Sequence, residues 1–220
     1  MSDNKILIAV PCHNMVAAEF ALSLSNLQKI DQCAVLGKIG SLVYVARDEL
    51  AKAAVACNAD YIFWLDSDMT FDPDILKRMM DVIQREDIDI LSGLYFRRVE
   101  PYTPTLFEHL DVKDDIVEWK NFHHIPAEPF EIAGCGFGCV LMKTDIAVEV
   151  QTKFNAMFTP LNGVGEDLAF CWRARQCGYR IWCDPRITLG HVGYNIVTKD
   201  FFLKFQERSN EENEKDLTDR

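Results

Sequence analysis

Apolar runs and amphipathic stretches alternate along the first hundred residues. Residues 5–11 (KILIAVP) and 61–65 (YIFWL) are short apolar runs, which predict strands buried on both faces. Residues 15–30 and 41–59 carry apolar side chains at helical spacing, with Ser41 as the expected cap of the second helix. Strands alternating with helices predict βαβ units and a largely parallel sheet.

The pattern changes in the second half. Residues 72–86 still predict a helix and residues 87–98 a strand. Between 103 and 145 the apolar stretches are shorter and separated by loops, which favours antiparallel or irregular strands. Residues 165–178 (GEDLAFCWRARQCG) predict a helix that begins with two acids and ends at a glycine, and residues 179–193 predict further extended chain.

This pattern and the 220-residue length predict one domain over residues 1–205, since 49% of the residues are hydrophobic and no linker or repeat interrupts them. Residues 206–220 are polar and charged, which predicts a mobile tail.

The charge balance narrows the choice of ligands. The chain carries 23 basic and 34 acidic side chains, a net charge of −11. Proteins that grip long nucleic acids usually present a basic face, so the balance argues against that role. A nucleotide is still compatible with it, because a divalent cation can bridge carboxylates to phosphates.

The amino-terminal residues and the cysteines bear on location. The first residues show no basic start or cleavage site typical of a secretion signal, and no apolar run approaches the ~20 residues that span a bilayer. The eight cysteines are scattered without a Cys-x-x-Cys pair, which favours reduced, mostly buried thiols. We therefore expect a cytoplasmic protein without a transmembrane segment.

Two carboxylates follow the apolar run at 61–65 directly, in Asp66-Ser67-Asp68. Ligand sites in open α/β sheets lie at the carboxyl ends of strands. Hard oxygen ligands on a tight turn suit Mg²⁺ or Mn²⁺ and a bound diphosphate. The alternative is a turn whose acids cap the following helix.

Two further features offer chemistry. Glu166 and Asp167 open a helix after Gly163 and Gly165, so that a sharp bend can present a carboxylate as a general base. The alternative is a pair of acids that only complements the helix dipole. His191 lies between small residues in an extended segment, where its imidazole either reaches a metal or is merely structural.

Several segments follow one another along the chain: strand–Pro11–Cys12-His13-Asn14, Ala46-Arg47-Asp48, FWLDSD, DILSGLYFRR, AGCGFGCVLMKTD, GEDLAFCWRARQCGYRIWCDP and GHVG. In this order they resemble the GT-A-fold glycosyltransferases and are closest to glycosyltransferase family 2. The resemblance covers roughly residues 5–195. It implies an α/β fold with a mostly parallel central sheet flanked by helices and a smaller antiparallel sheet on the acceptor side. It also implies a nucleotide-sugar-dependent enzyme, a hexosyltransferase.

The resemblance implies roles for the acidic turn. Asp66-Ser67-Asp68 looks like the Asp-x-Asp motif, with Asp68 as a ligand of Mn²⁺ or Mg²⁺ on the donor diphosphate. Asp66 would contact the ribose, or the metal through water, and His191 would complete the coordination.

The resemblance also implies a donor site. The loop after the first strand would hold the nucleoside, a glycine loop at residues 134–138 would line the sugar pocket, and Arg47 would lie near the base or diphosphate. Relatives carry Asn where this chain has Asp48, and no base-reading acid is visible, so UDP and GDP sugars both stay open. The donor-site residues are Pro11, Cys12, His13, Asn14, Arg47, Asp66, Ser67, Gly134 and Gly136.

Glu166 and Asp167 match the acidic pair beside the acceptor, and Asp167 would be the base of an inverting transfer. A retaining glycosyltransferase and a non-catalytic nucleotide- or carbohydrate-binding module on the same fold are the alternatives. A nucleotidyltransferase is disfavoured, because residues 9–20 lack a Gly-rich basic loop. The acceptor is not identified, with a saccharide as one candidate.

Overall fold

The structure is a computed structural model, and it describes residues 4–30, 32–113, 116–193 and 196–218. Helices and strands alternate through the first half, as the hydrophobic pattern predicts. The strands are β1 (Lys5–Cys12), β2 (Gln32–Ile39), β3 (Tyr61–Leu65), β4 (Met69–Thr70), β5 (Ile90–Leu94), β6 (Leu106–Lys113), β7 (Ile116–Asn121), β8 (Phe130–Ile132), β9 (Gly134–Cys135), β10 (Cys139–Lys143), β11 (Ile181–Thr188) and β12 (Gly190–His191). The helices are α1 (Ala18–Asn26), α2 (Val43–Ala56), α3 (Ile75–Glu86), α4 (Thr144–Phe154), α5 (Glu166–Gln176) and α6 (Lys199–Thr218).

The central sheet has seven strands in the order β2-β1-β3-β10-β5-β11-β8. Strands β1, β2, β3, β5 and β11 run in one direction, and β10 and β8 run in the other. A separate three-stranded antiparallel sheet has the order β7-β6-β9. The expected architecture, a mostly parallel sheet with a smaller antiparallel one, is confirmed.

The core lies on both faces of the central sheet, because the strands are apolar at successive positions. Leu7 of β1 and Trp64 of β3 belong to one hydrophobic cluster, and Ile8 and Phe63 belong to the other. All four side chains are at most 5% exposed. Continuous apolar runs are therefore required in these strands.

The carboxyl end of β3 is joined to segments that are distant in the sequence. At its carboxyl end, the backbone N–H of Asp66 donates to the carbonyl of Gly138 across 3.1 Å. The chain then turns through Ser67 and Asp68 into β4, which pairs with the distant β12. The acidic turn is thus fastened to two segments from the second half of the chain.

Several elements differ from the sequence prediction. Helix α1 is confined to Ala18–Asn26, because Met15 and Val16 lie in extended, exposed chain. Ser41 is not the cap of α2, since that helix begins after Leu42 without a side-chain cap. Helix α4 and the edge strand β2 were not expected.

Helix α6 also was not expected, and its Phe202 is buried. The mobility expected for residues 206–220 stays a prediction. Among the helices that the structure describes, none combines the length and apolar character needed to cross a bilayer. All eight cysteines are free thiols, as expected.

Candidate active site

His191 is brought to the acidic turn by the pairing of β12 with β4. In this pairing, His191 is opposite Met69 and Gly190 is opposite Thr70. The next residue, Val192, donates its N–H to the carbonyl of Asp68 across 2.8 Å. As a result, Nε2 of His191 lies 3.4 Å from Oδ2 of Asp68. The expected meeting of residues 68 and 191 is therefore present in the fold.

The imidazole of His191 is oriented from its other side. Its Nδ1 lies 2.8 Å from the carbonyl oxygen of Phe96, and since a carbonyl can only accept, Nδ1 carries a proton. Its Nε2 therefore faces Asp68 either as the lone pair of a neutral ring or as the second N–H of an imidazolium. Burial lowers the pKa of His191, but the hydrogen bonds to Asp68 and Phe96 outweigh it and raise the pKa above its ordinary value.

Asp68 also receives a salt bridge from Arg98. Nη1 of Arg98 donates to Oδ2 of Asp68 across 2.6 Å, so that Arg98 and His191 converge on the same carboxylate oxygen. Burial works to raise the pKa of Asp68, yet His191 and Arg98 hold it below its ordinary value. Asp68 is therefore an anion.

Asp66 faces a different partner. Nη2 of Arg47 donates to its Oδ1 across 2.8 Å, and Nε of the same guanidinium donates to Oε1 of Glu166 across 3.2 Å. Arg47 is 2% exposed, and its guanidinium lies against the rings of Trp64 and Phe137. The side chain thus joins the end of β3 to the start of α5.

Asp167 follows Glu166 in the first turn of α5. Its Oδ1 accepts the N–H of Leu168 across 2.7 Å. Burial raises the pKa of Asp167 to about 6, and the charge of Glu166 adds to the shift. A carboxylate whose pKa lies near neutrality is suited to take a proton from a substrate. Gly163, with φ at +93°, supplies the left-handed turn that precedes this helix.

The glycine loop is packed against Tyr95. The N–H of Gly138 donates to the Tyr95 hydroxyl across 2.9 Å. A Cβ at Gly136 would lie 2.3 Å from that hydroxyl, so a side chain there would displace it. The ring of Tyr95 also stands edge-on to His191, with centroids 5.7 Å apart. Tyr95 therefore fixes the loop and the imidazole relative to each other.

An open cavity of about 460 Å³ lies beside the acidic turn. Clefts that hold nucleotides and similar ligands have volumes of this order. Its wall combines the carboxyl end of β1, the start of α2 and the acidic turn. The lining residues are Pro11, Cys12, His13, Ser41, Leu42, Val43, Ala46, Asp66, Ser67, Asp68 and Arg98.

Comparison with known proteins bears on this site. The model of the family described as glycosyl transferase family 2 matches residues 47–150, which include Arg47, the acidic turn and the glycine loop. The crystal structure of A197 from STIV has a TM-score of 0.62 at 18% identity and covers 89% of this chain and 91% of that chain. The fold is GT-A, with its matched segment resembling glycosyltransferase family 2.

A second solved structure agrees with this fold. The crystal structure of GalNAc-T7 with UDP, GalNAc and Mn²⁺ has a TM-score of 0.60 at 10% identity, and it covers 86% of this chain and 44% of that chain. At these identities the two likenesses show the fold. The family match supports a glycosyl transfer function. A comparison with curated proteins finds no match.

The GT-A fold brings the predicted site residues together unevenly. Pro11, Cys12, His13 and the acidic turn line the cavity. Among the described residues, the other expected site residues do not line it, namely Asn14, Arg47, Gly134, Gly136, Glu166, Asp167 and His191. Gly134 is buried in β9 and packs against α5, where a Cβ would lie 3.1 Å from the side chain of Leu168. The donor-binding roles expected of these residues stay predictions.

Two residues of the site were missed by the reasoning from sequence. Arg98 and Tyr95 both follow β5, a buried strand that ends at the same sheet edge as β3. Tyr95 directly follows that strand and Arg98 lies four residues beyond its end. A polar or aromatic residue just beyond the carboxyl end of a buried strand is the signal that points to a site, as it was for Asp66.

The GT-A fold also raises the question of a metal. Asp68 and His191 supply one carboxylate and one imidazole, ligands that Mn²⁺ accepts. Metal-bound histidines characteristically donate a hydrogen bond from the N–H of their second ring nitrogen to a carbonyl or carboxylate, as Nδ1–H of His191 does to the carbonyl of Phe96. Within the described ranges, no group of three His, Cys, Asp or Glu side chains is placed to hold a metal. Two protein ligands still fit, because such cations are often held by few side chains together with substrate phosphates.

Proposed function

We propose that this protein is a divalent-metal-dependent glycosyltransferase that moves a sugar from a nucleoside-diphosphate donor to an acceptor hydroxyl with inversion. The observation that carries the proposal is the approach of His191 Nε2 to Asp68 Oδ2, at 3.4 Å, beside a cavity of about 460 Å³. The resemblance to glycosyltransferase family 2 over residues 47–150 supports it.

The donor would occupy the cavity beside the acidic turn. Pro11, Cys12 and His13 would contact the nucleoside, and Ser67 would contact the ribose or phosphates. The presence of UDP in the GalNAc-T7 structure makes a UDP sugar the first donor to test, with a GDP sugar as the second. Arg47 would affect donor binding indirectly, because its guanidinium holds Asp66 in place at the cavity wall.

Asp68 and His191 would hold Mn²⁺ or Mg²⁺ against the donor diphosphate, with Asp66 contributing through water. The bound cation would neutralise the charge that develops on the leaving nucleoside diphosphate. Metal binding also sets a requirement on the protonation of His191. His191 must be neutral at Nε2 to bind a cation, and the carbonyl of Phe96 selects that tautomer.

Asp167 would be the general base. Its carboxylate would take the proton of the acceptor hydroxyl while the oxygen attacks the anomeric carbon, and the bond from that carbon to the phosphate oxygen would break on the opposite face. A pKa of about 6 leaves the group largely ionised at neutral pH yet basic enough to accept a proton. Glu166, which is paired with Arg47, adds to the raised pKa of Asp167.

The smaller sheet is where we place the acceptor. Trp119 of β7 is 48% exposed and stands edge-on to Phe107, so that part of its ring is open to solvent. Exposed aromatic rings stack on sugar faces, which favours a saccharide acceptor.

The proposal is tested by calorimetric titration of the protein with UDP and GDP in the presence of MnCl₂. We expect binding of one nucleotide that requires Mn²⁺ and that is lost in Asp68→Asn. The matched control is Asp81→Asn, since Asp81 is an exposed acid away from the cavity. Wild-type protein that binds neither nucleotide with Mn²⁺ would overturn the proposal.

Turnover separates an enzyme from a binding module on the same fold. We expect Mn²⁺-dependent hydrolysis or transfer of the nucleotide sugar, which Asp167→Asn abolishes while leaving nucleotide affinity unchanged. The anomeric configuration of the product, read by NMR, then distinguishes inversion from retention. Retained configuration would contradict the role proposed for Asp167.

A further inference from the structure

Arg98 has no role in the function proposed above, yet it contacts Asp68 directly and lines the cavity. Its Nη1 lies 2.6 Å from Oδ2 of Asp68 and 3.4 Å from the carbonyl of Val192. The side chain is 52% exposed and lies at the cavity wall, unlike the buried Arg47. A long, half-exposed side chain held by one salt bridge can change partners at little cost.

The oxygen that Arg98 occupies is the one that faces His191. A cation bound by Asp68 and His191 would therefore compete with the Arg98 guanidinium for Oδ2 of Asp68. Two positive groups cannot share that oxygen without mutual repulsion. Loading of the metal would release Arg98 from Asp68.

The charge of the cavity wall indicates where the released guanidinium would go. Of the described residues that line the cavity, Arg98 is the sole lysine or arginine. A nucleoside diphosphate carries more negative charge than one divalent cation neutralises once two carboxylates share that cation. Guanidinium groups pair with phosphate oxygens through two parallel hydrogen bonds, which makes a diphosphate the natural second partner.

We propose that Arg98 is a donor-binding residue that exchanges Asp68 for the donor diphosphate when the divalent cation binds. Before loading, Arg98 serves as the counterion of Asp68. After loading, it contacts the diphosphate from the side of the cavity formed by the chain after β5. This inference rests on the proposed function, because it takes Asp68 as a metal ligand and a diphosphate as the substrate group.

The exchange predicts effects of opposite sign in one variant. In Arg98→Ala, Asp68 is free of its competitor, so MnCl₂ alone should bind more tightly, by roughly three- to tenfold. Under saturating Mn²⁺, UDP, GDP or inorganic pyrophosphate should bind more weakly, by about ten- to a hundredfold, since a charged hydrogen-bond donor is lost. The weakening should be equal for pyrophosphate and for the nucleotide that binds, because the contact is to the diphosphate.

The experiment measures Mn²⁺ binding by electron paramagnetic resonance and ligand binding by calorimetry, on the full chain. Arg97→Ala is the matched control, because Arg97 is the exposed neighbour and lies outside the cavity wall. Arg98→Lys, which keeps the charge, should recover part of the diphosphate affinity. A thermal melt of each variant checks that it is folded.

Opposite shifts in Arg98→Ala, with Arg97→Ala unchanged, support the exchange. Wild-type binding of Mn²⁺ and nucleotide with no change in Arg98→Ala overturns this inference and leaves the proposed function standing. Equal loss of Mn²⁺ and diphosphate affinity overturns it as well, since it would show Arg98 to be structural. Wild-type protein that binds neither ligand overturns both proposals.

Discussion

Nη2 of the buried Arg47 lies 2.8 Å from Oδ1 of Asp66, whose side chain lines the cavity. The same guanidinium donates to Glu166. One buried arginine therefore pairs with a carboxylate that directly follows β3 and with another at the start of α5. Burial works to lower the pKa of Arg47, and the surrounding carboxylates more than compensate, so its pKa is raised. The contact holds the carboxyl end of β3 and the start of α5 at a set distance.

Replacing Arg47 by methionine should therefore destabilise the protein. Removal of one partner of a buried ion pair leaves the others uncompensated, with a typical loss of about 3–5 kcal/mol in the free energy of unfolding. The loss should be smaller at pH 5 than at pH 8, because burial raises the pKa of Asp66, and without Arg47 its carboxylate takes up a proton more readily. Urea denaturation at the two pH values measures it, with the exposed Lys52→Met on the same helix as the control. An equal loss at both pH values would contradict the electrostatic explanation.

Local sequence was enough to predict the parts of the site that neighbouring residues determine. The run Tyr61–Leu65 has to be buried, and the acids after it have to lie at the strand end. By contrast, strand β2 was missed because it is an edge strand with Val35 40% exposed, so that it lacks the pattern of a buried strand.

Contacts between distant segments could not be predicted in the same way. Arg98 reaches Asp68 across 30 positions of the chain, and Arg47 reaches Glu166 across 119. Nothing in either local sequence specifies the partner, since long charged side chains are compatible with many surroundings. The pairing of His191 with Asp68 came from the resemblance to a family, which supplies long-range information that composition and periodicity lack.

Asp167 should make stability depend on pH in one direction. Its pKa is about 6 in the folded chain against an ordinary value of 3.8, so between these values the unfolded chain loses this proton while the folded chain keeps it. Folding is therefore favoured by this group at low pH, and that advantage is lost as the pH rises through about 6, a change on the order of 2–3 kcal/mol. Relative to wild type, Asp167→Asn should gain stability between pH 4 and pH 7.

The measurement is urea denaturation of both proteins at several pH values. The same group should govern activity, with transfer increasing from pH 5 to pH 7 as the base ionises. A difference in stability between wild type and Asp167→Asn that stays constant from pH 4 to pH 7 would show that the pKa is not raised.

Gly190 should be required for the position of His191. A Cβ there would lie 2.3 Å from Oγ1 of Thr70 and 2.7 Å from the side chain of Ile196, closer than real contacts allow. Gly190→Ala should therefore push β12 away from β4 and weaken Mn²⁺ binding by tenfold or more, since His191 shares that strand. Adding Thr70→Ala removes the closest clash and should restore part of the affinity.

Titration with MnCl₂ checks each of these three variants, Thr70→Ala alone being the third. If Gly190→Ala binds Mn²⁺ as wild type does, then Gly190 is not required for the position of His191.

Helix α6 should support the proposed metal site through Phe96. Phe202 of α6 stacks on Phe96 with ring centroids 4.4 Å apart, and the carbonyl of Phe96 orients the imidazole of His191. Phe202→Ala leaves Phe96 without its cover, so we expect the first turns of α6 to open and Mn²⁺ affinity to decrease by about three- to tenfold. The adjacent Leu203→Ala is the control, because Leu203 is 42% exposed and its loss should change neither quantity. Hydrogen exchange across residues 199–208, together with MnCl₂ titration, measures both effects. Faster exchange in α6 with unchanged Mn²⁺ affinity would show that the helix covers the fold without supporting the site.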